Sequence, residues 1–194
     1  MTNPAYAVGV AGLQFRSGRV EAPFGPVTVV ADDEGVRCVS FGGEHGLRLP
    51  AGATVTPDPA HHVVAAALGQ LREYLDGERT GFDLPLSLEG TEFQVAAWRA
   101  LAEVPFGETS SYAAQAASIG RPTATRAVGA ANGRNPVAIV LPCHRIVGSD
   151  GSLTGFAGGL ETKKWLLAHE RAVRERRGAV PETEAAAPEK EGAA

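Results

Sequence analysis

The sequence predicts an α+β fold: a small N-terminal α/β domain built on a β-sheet over residues 1–84, then a mainly helical C-terminal domain over 85–171. Three observations predict it. Two runs rich in β-branched residues, Pro26 to Ala31 and Val36 to Phe41, flank the turn-forming Asp32-Asp33-Glu34-Gly35. Apolar residues at Val64, Leu68, Leu71 and Leu75 make one stripe of a helix over about 59–76, with Gly77 as its stop. From Thr91 onward, helix-capping patterns replace strand patterns.

Each remaining element has its own signal. Val8 to Phe15 reads as a further strand. Thr91-Glu92-Phe93-Gln94 has the pattern of a capping box, and Phe93, Ala97 and Leu101 then share one helical face. Pro105-Phe106-Gly107 ends that helix. Ser111 is placed to cap the next, which carries Tyr112 and runs to Gly120. Arg121-Pro122 breaks the chain, and Thr123 is placed to cap a third helix through about Ala131. Two short helices joined by a glycine-containing turn resemble a helix-turn-helix. The second has small side chains and one long cation, Arg126, so it suits close approach to DNA or to a neighbouring helix. The tail, 172–194, is charged and poor in large apolar residues, and is expected to be disordered.

Composition narrows the function classes. No apolar run approaches the ~20 residues of a membrane helix, and the start lacks a basic-then-apolar leader, so a cytoplasmic protein is expected. Two cysteines, Cys38 and Cys143, make neither a disulfide framework nor a cysteine-rich zinc site. His61 and His62 are adjacent and would diverge on a helix, so no metal and no cofactor are expected. The net charge of -4 argues against nucleic acid, but its distribution does not. Residues 1–90 hold 6 basic and 11 acidic side chains, whereas 91–171 hold 8 and 6. No acid lies between Glu108 and Asp150, where Arg121, Arg126, Arg134 and Arg145 all fall; they form a candidate phosphate-facing surface.

Cys143 stands where an apolar run, Val137 to Leu141, meets Pro142-Cys143-His144-Arg145. A thiol becomes a good nucleophile when deprotonated, and an imidazole and a guanidinium within two residues suggest a base and a charge that favours a thiolate. On an extended chain His144 would point away from Cys143 and need a bridging water. Cys38, in a β-branched strand with no base beside it, reads as core filler. These patterns leave hydrolysis and group transfer equally open.

Pro142-Cys143-His144-Arg145-Ile146-Val147 resembles the O6-alkylguanine-DNA alkyltransferase family. The likeness extends in order through Gly90-Thr91-Glu92-Phe93-Gln94, Trp98, Pro105 to Thr109, Ser111-Tyr112, Arg126 to Gly129, Asn135-Pro136, Gly158-Gly159-Leu160 and Lys164 to Glu170. It implies a winged helix-turn-helix-like DNA-binding unit and a single-turnover transfer of an alkyl group from guanine in double-stranded DNA to Cys143. O4-alkylthymine is a second candidate substrate. His144, through a water, and Glu170 would remove the thiol proton, Tyr112 would donate to the leaving guanine, and Asn135 would brace the turn before the active-site strand. Arg126 would fill the gap left by the flipped nucleotide. Thr125, Ala127, Gly129, Arg121 and Arg134 would complete the DNA surface, and Ile146, Phe156 and Ala157 would join Tyr112 around the base. Relatives often carry Tyr and Ser where this chain has Phe156 and Ala157, so a backbone N–H rather than a hydroxyl would meet the guanine oxygen. A monomer is expected. Competing readings are a lesion-binding protein without transfer, a helix-turn-helix regulator and a thiol hydrolase.

Overall fold

A computed structural model describes residues 13–42, 47 and 49–178. Its N-terminal part is a four-stranded sheet of β1 (Gln14–Val20), β2 (Val27–Ala31), β3 (Val36–Phe41) and β4 (Thr54–Pro57), in the order β3-β2-β1-β4. The first three strands pair antiparallel, whereas β4 runs parallel to β1. The β2–β3 turn forms as its sequence requires: Asp32 Oδ1 accepts from the backbone N–H of Glu34 and Gly35, both at 2.9 Å. The expected strand at Val8 to Phe15 begins at Gln14 and continues to Val20, and residues 8–12 lie outside the described residues.

Every residue of β2 is buried, because both sheet faces are covered. On one face Val27, Val29 and Ala31 pack in the main core with Val64, Leu68 and Leu71 of α1 (His62–Leu75). On the other, Phe15, Val30 and Cys38 make a smaller core under Leu47, Leu49, Ala53 and Val55. Cys38 is core filler there, as expected. The helix lies close against β1 because Gly18 has no side chain; a Cβ there would sit 2.6 Å from Leu68 Cδ1.

The second part is α2 (Glu92–Leu101), β5 (Ser110–Ser111), α3 (Tyr112–Ser118), α4 (Thr125–Asn132), a 3-10 turn at Cys143–Arg145, β6 (Ile146–Val147) and α5 (Gly159–Gly178). Thr91 and Gln94 complete the capping box of α2, and Ser111 caps α3 by accepting from Ala114 N. Thr123 does not cap α4: Ala124 holds that position and no side chain bonds the first turn. Its first turn is therefore left with open N–H groups. Buried polar groups lock the three helices together. Trp98 Nε1 donates to Ala131 O at 2.8 Å, and the amides of Gln115 and Asn132 pair at 2.7 and 3.1 Å.

Helix α5 continues seven residues past the expected end at Arg171, because Val173 finds a buried seat against Gly77. Only residues 179–194 of the expected tail lie outside the described residues. Gly77 ends α1 at φ 79°, and a Cβ there would lie 2.8 Å from Val173. Gly77→Ala therefore combines an unfavourable backbone with a clash, and urea denaturation should show a loss of ~1–2 kcal/mol. Two further joints tie the parts. Val36 N donates to Pro85 O at 2.8 Å, and Val39 N donates to Pro136 O at 2.8 Å, so the sheet edge carries the loop that leads to Cys143.

Candidate active site and nucleic-acid interface

The chain reaches Cys143 through a braced loop. Leu141 N donates to Val137 O at 3.0 Å, and Asn135 fills the turn, its Nδ2 donating to Leu141 O at 2.7 Å and its Oδ1 accepting from Val137 N at 3.1 Å. Inside this loop Ile139 sits at φ 72°, a left-handed conformation that costs a β-branched residue roughly 1–3 kcal/mol. Its side chain is fully buried, so core packing and the Asn135 brace hold the strain. The expected role of Asn135 as the brace of this turn thus has a geometry. Its amide also reaches the Cys143 sulfur.

Past Pro142 the backbone is not extended but turns as a 3-10 helix, in which Cys143, His144 and Arg145 are all buried. His144 Nε2 lies 2.9 Å from Glu170 Oε1. An ionised carboxylate only accepts, so Nε2 carries the proton and Nδ1 the lone pair. Nδ1 is buried and has no protein partner. One residue from the sulfur, a basic nitrogen is thereby left ready to take a proton.

Glu170 is saturated with donors. Oε1 accepts from Tyr74 Oη at 2.7 Å, from His144 and from Arg145 Nη2 at 2.9 Å. Oε2 accepts from Gly107 N at 3.0 Å and Arg145 Nε at 2.9 Å. Burial opposes ionisation of this carboxyl, but His144 and Arg145 outweigh it and hold the group down at about 2. Burial, then Arg145 and Lys163, keep the His144 imidazole below its ordinary value against the pull of Glu170, so it is neutral at neutral pH.

Burial pushes the Cys143 thiol up, and the Asn135 amide and the Lys163 charge oppose this only in part. Cys143 is 7% exposed, so burial works against its anion. The expectation for Arg145 is corrected. It is not a surface arginine facing phosphate: its Nη1 donates to Val104 O at 2.6 Å and the rest of its fork grips Glu170. Arg121, Arg126 and Arg134 do stand exposed on and around α4.

A cleft of about 590 Å³ opens between α4 and the loop before α5, lined by Tyr112, Thr125, Arg126, Gly129, Phe156 and Ala157 among others. Residues expected at the DNA surface and around the base thus share one space. Ala127 is exposed on the same helix, while Ile146 is wholly buried and does not line the cleft. Cys143 is not among its walls. Phe156 links the two, since its ring lies 6.4 Å from the His144 ring, edge to face. Thr154 Oγ1 donates to the Tyr112 oxygen at 2.8 Å, which leaves the phenolic proton free to point at a bound group.

Two functional neighbours, Lys163 and Tyr74, are absent from the sequence reading. Lys163 is fully buried, with Nζ bonded to Ile146 O at 2.6 Å and Thr154 O at 3.2 Å, and its charge acts on Cys143. Its polar residue type suggests a solvated helix face; only the tertiary fold reveals its seat. Tyr74 joins Glu170 in the same way. Far from this centre, His61 and His62 do not diverge, because His61 is the non-helical cap of α1. Their rings lie 4.6 Å apart, with Asp33 Oδ1 2.9 Å from His61 Nε2. Among the described residues these three alone bring metal-ligating atoms together, with the positive Arg16 beside Asp33. No helix among the described residues is long and apolar enough to cross a membrane.

Comparison with known proteins agrees with this geometry. Residues 16–88 match the 6-O-methylguanine DNA methyltransferase, ribonuclease-like domain, and residues 92–172 match the DNA binding domain of the same protein. A methylated-DNA--protein-cysteine methyltransferase of Methanosarcina barkeri is 44% identical over 152 residues, 78% of this chain and 94% of the relative. One from Mycolicibacterium paratuberculosis is 46% identical over 159 residues, 82% and 93% of the two chains. The crystal structure of Mycobacterium tuberculosis OGT in complex with DNA superimposes with a TM-score of 0.72 at 38% identity, covering 83% of this chain and 94% of that one. With both domain models matched in order and relatives this similar over nearly their whole length, the chain belongs to the 6-O-methylguanine DNA methyltransferase family.

Proposed function

We propose that this protein repairs double-stranded DNA by moving the alkyl group of O6-alkylguanine onto Cys143, once per molecule and without a cofactor. The observation that carries the reading is the unpartnered Nδ1 of a neutral His144, oriented by Glu170 and one residue from the sulfur. In the reaction the Cys143 proton passes to Nδ1, directly or across one water. The sulfur pair forms a bond to the alkyl carbon, the carbon–oxygen bond breaks, and its electrons pass to the purine. Tyr112 gives the purine a proton, so that a neutral guanine leaves. Imidazolium is stabilised by Glu170, already ionised. The thioether product has no leaving route, and the protein is consumed.

The base reaches the sulfur only outside the stack, at a cost of a few kcal/mol. The cleft beside α4 is large enough to admit a purine, and Arg126 on its wall is placed to enter the vacated stack. Small neighbours at Ala127 and Gly129 allow α4 to approach the duplex, while Arg121 and Arg134 meet phosphate. The protein acts as a cytoplasmic monomer.

Titration against duplex DNA carrying O6-methylguanine tests this reading. One base should be repaired per protein molecule; continued turnover would contradict it. Arg126→Ala should slow repair of duplex DNA by roughly ten- to a hundredfold, the size of the lost unstacking aid, yet leave reaction with free O6-methylguanine base nearly intact. Equal losses in the two assays would remove Arg126 from flipping.

A further inference from the structure

We propose that Tyr74, from the N-terminal domain, is a positioning residue of the proton relay: its hydroxyl shares Glu170 Oε1 with His144 and so sets how strongly that carboxylate holds the imidazole proton. The proposal rests on the Cys143–His144–Glu170 reading above.

Tyr74 is fully buried near the end of α1, with its ring 5.4 Å from Phe82, 6.0 Å from Phe106 and 5.5 Å from His169. Its position is fixed from both sides. Its carbonyl lies 2.8 Å from His169 Nε2, and Arg177 at the end of α5 donates to the carbonyls of Gly77 and Glu78. The hydroxyl is thus aimed at one oxygen, 2.7 Å away and 96 residues distant in the chain. Burial and the nearby carboxylate keep the phenol protonated, so it donates at every working pH.

A neutral donor on Oε1 disperses the charge that would otherwise fall on the His144 Nε2–H bond. The charged groups acting on His144 are Arg145 on its own turn, and Lys163 and Glu170 on α5. Of these, only Glu170 draws a proton onto the ring; Arg145 and Lys163 oppose it. Loss of the Tyr74 hydroxyl strengthens the single attractive partner and raises the imidazole's proton affinity. Neutral His144 is the form that accepts the thiol proton, so the transfer rate falls as pH drops through the His144 pKa. That acidic limb is the readout.

Transfer rates from O6-methylguanine DNA should be measured across pH for wild type, Tyr74→Phe and protein carrying 3-fluorotyrosine in place of Tyr74 alone. Phenylalanine keeps the ring and removes the donor. The acidic limb should move up by about half a pH unit, with the rate above it unchanged or higher. Fluorotyrosine is a stronger donor of nearly the same shape, and should move the limb down. A Tyr74→Phe protein that is slower at all pH values with an unmoved limb would mean a purely structural role and overturn the proposal. If that variant does not fold, an unmoved limb in the fluorotyrosine protein overturns it alone. Glu170→Gln separates this from the underlying reading. A wild-type rate and profile in that variant would sink the relay itself. A slow Glu170→Gln beside unmoved Tyr74 limbs would sink only the present proposal.

Discussion

Cys143→Ala is expected to bind duplex DNA and transfer nothing. The substitution removes one buried sulfur whose neighbours are the Asn135 amide and the Lys163 charge, and it leaves the DNA surface untouched. Affinity for DNA comes mainly from phosphate contacts, supplied here by the exposed Arg121, Arg126 and Arg134. A gel-shift titration should therefore give a dissociation constant within about threefold of wild type, whereas alkyl transfer should fall below detection. Cys38 is a poor second acceptor: it lies 1% exposed in the small core behind the sheet. Transfer persisting in Cys143→Ala would show that the acceptor is elsewhere.

The second large effect is on stability. Arg145→Leu should destabilise the fold by about 3–5 kcal/mol at pH 7, because it leaves the Glu170 carboxylate buried with only neutral donors and a neutral imidazole. The pH dependence follows from the sign of the shift. In wild type the Glu170 carboxyl is held down at about 2, against an ordinary value of 4.5. Its ionisation therefore adds stability above about pH 4.5, and that contribution is lost as pH falls through the folded value near 2. Without Arg145 the folded value rises, and the same carboxylate becomes a burden as pH rises through it. The deficit of the variant should be largest at pH 7 and should narrow toward pH 4. Urea denaturation at the two pH values checks this. Arg145→Lys should recover only part of the loss, since an ammonium cannot grip both carboxylate oxygens in the fork that Arg145 uses.

What was legible in the sequence had its partner close by in the chain. The Asp32 turn, the Thr91–Gln94 box, the Ser111 cap and the Gly77 stop each close within a few residues, and residue type plus spacing suffices to see them. The edges of β2 and β3 were readable because β-branched runs end at that turn. Strand β4 was not, because its parallel pairing with β1 joins residues 40 apart, as Gln14 with Thr54 shows. Thr123 had the right residue type for a cap but the wrong position by one residue. The continuation of α5 depended on Val173 meeting Gly77, which charge pattern alone conceals.

The site divides the same way. His144 and Glu170 meet because a tight 3-10 turn faces α5, with ring nitrogen and carboxylate 2.9 Å apart. Arg145 misled because proximity in sequence to a cysteine suggests a role on the sulfur, whereas its side chain runs the other way to Glu170. Tyr74 and Lys163 were invisible for want of any local signal. Neighbouring cations favour a thiolate most where water is present to help, and Cys143 is almost dry.

The most direct test is peptide mass mapping after incubation with duplex DNA containing O6-methylguanine. The peptide that contains Cys143 should gain one methyl group in proportion to guanine restored, and no other peptide should change. An unmodified Cys143 in a sample where the lesion has been repaired, or a methyl group found on Cys38, would contradict transfer to this sulfur.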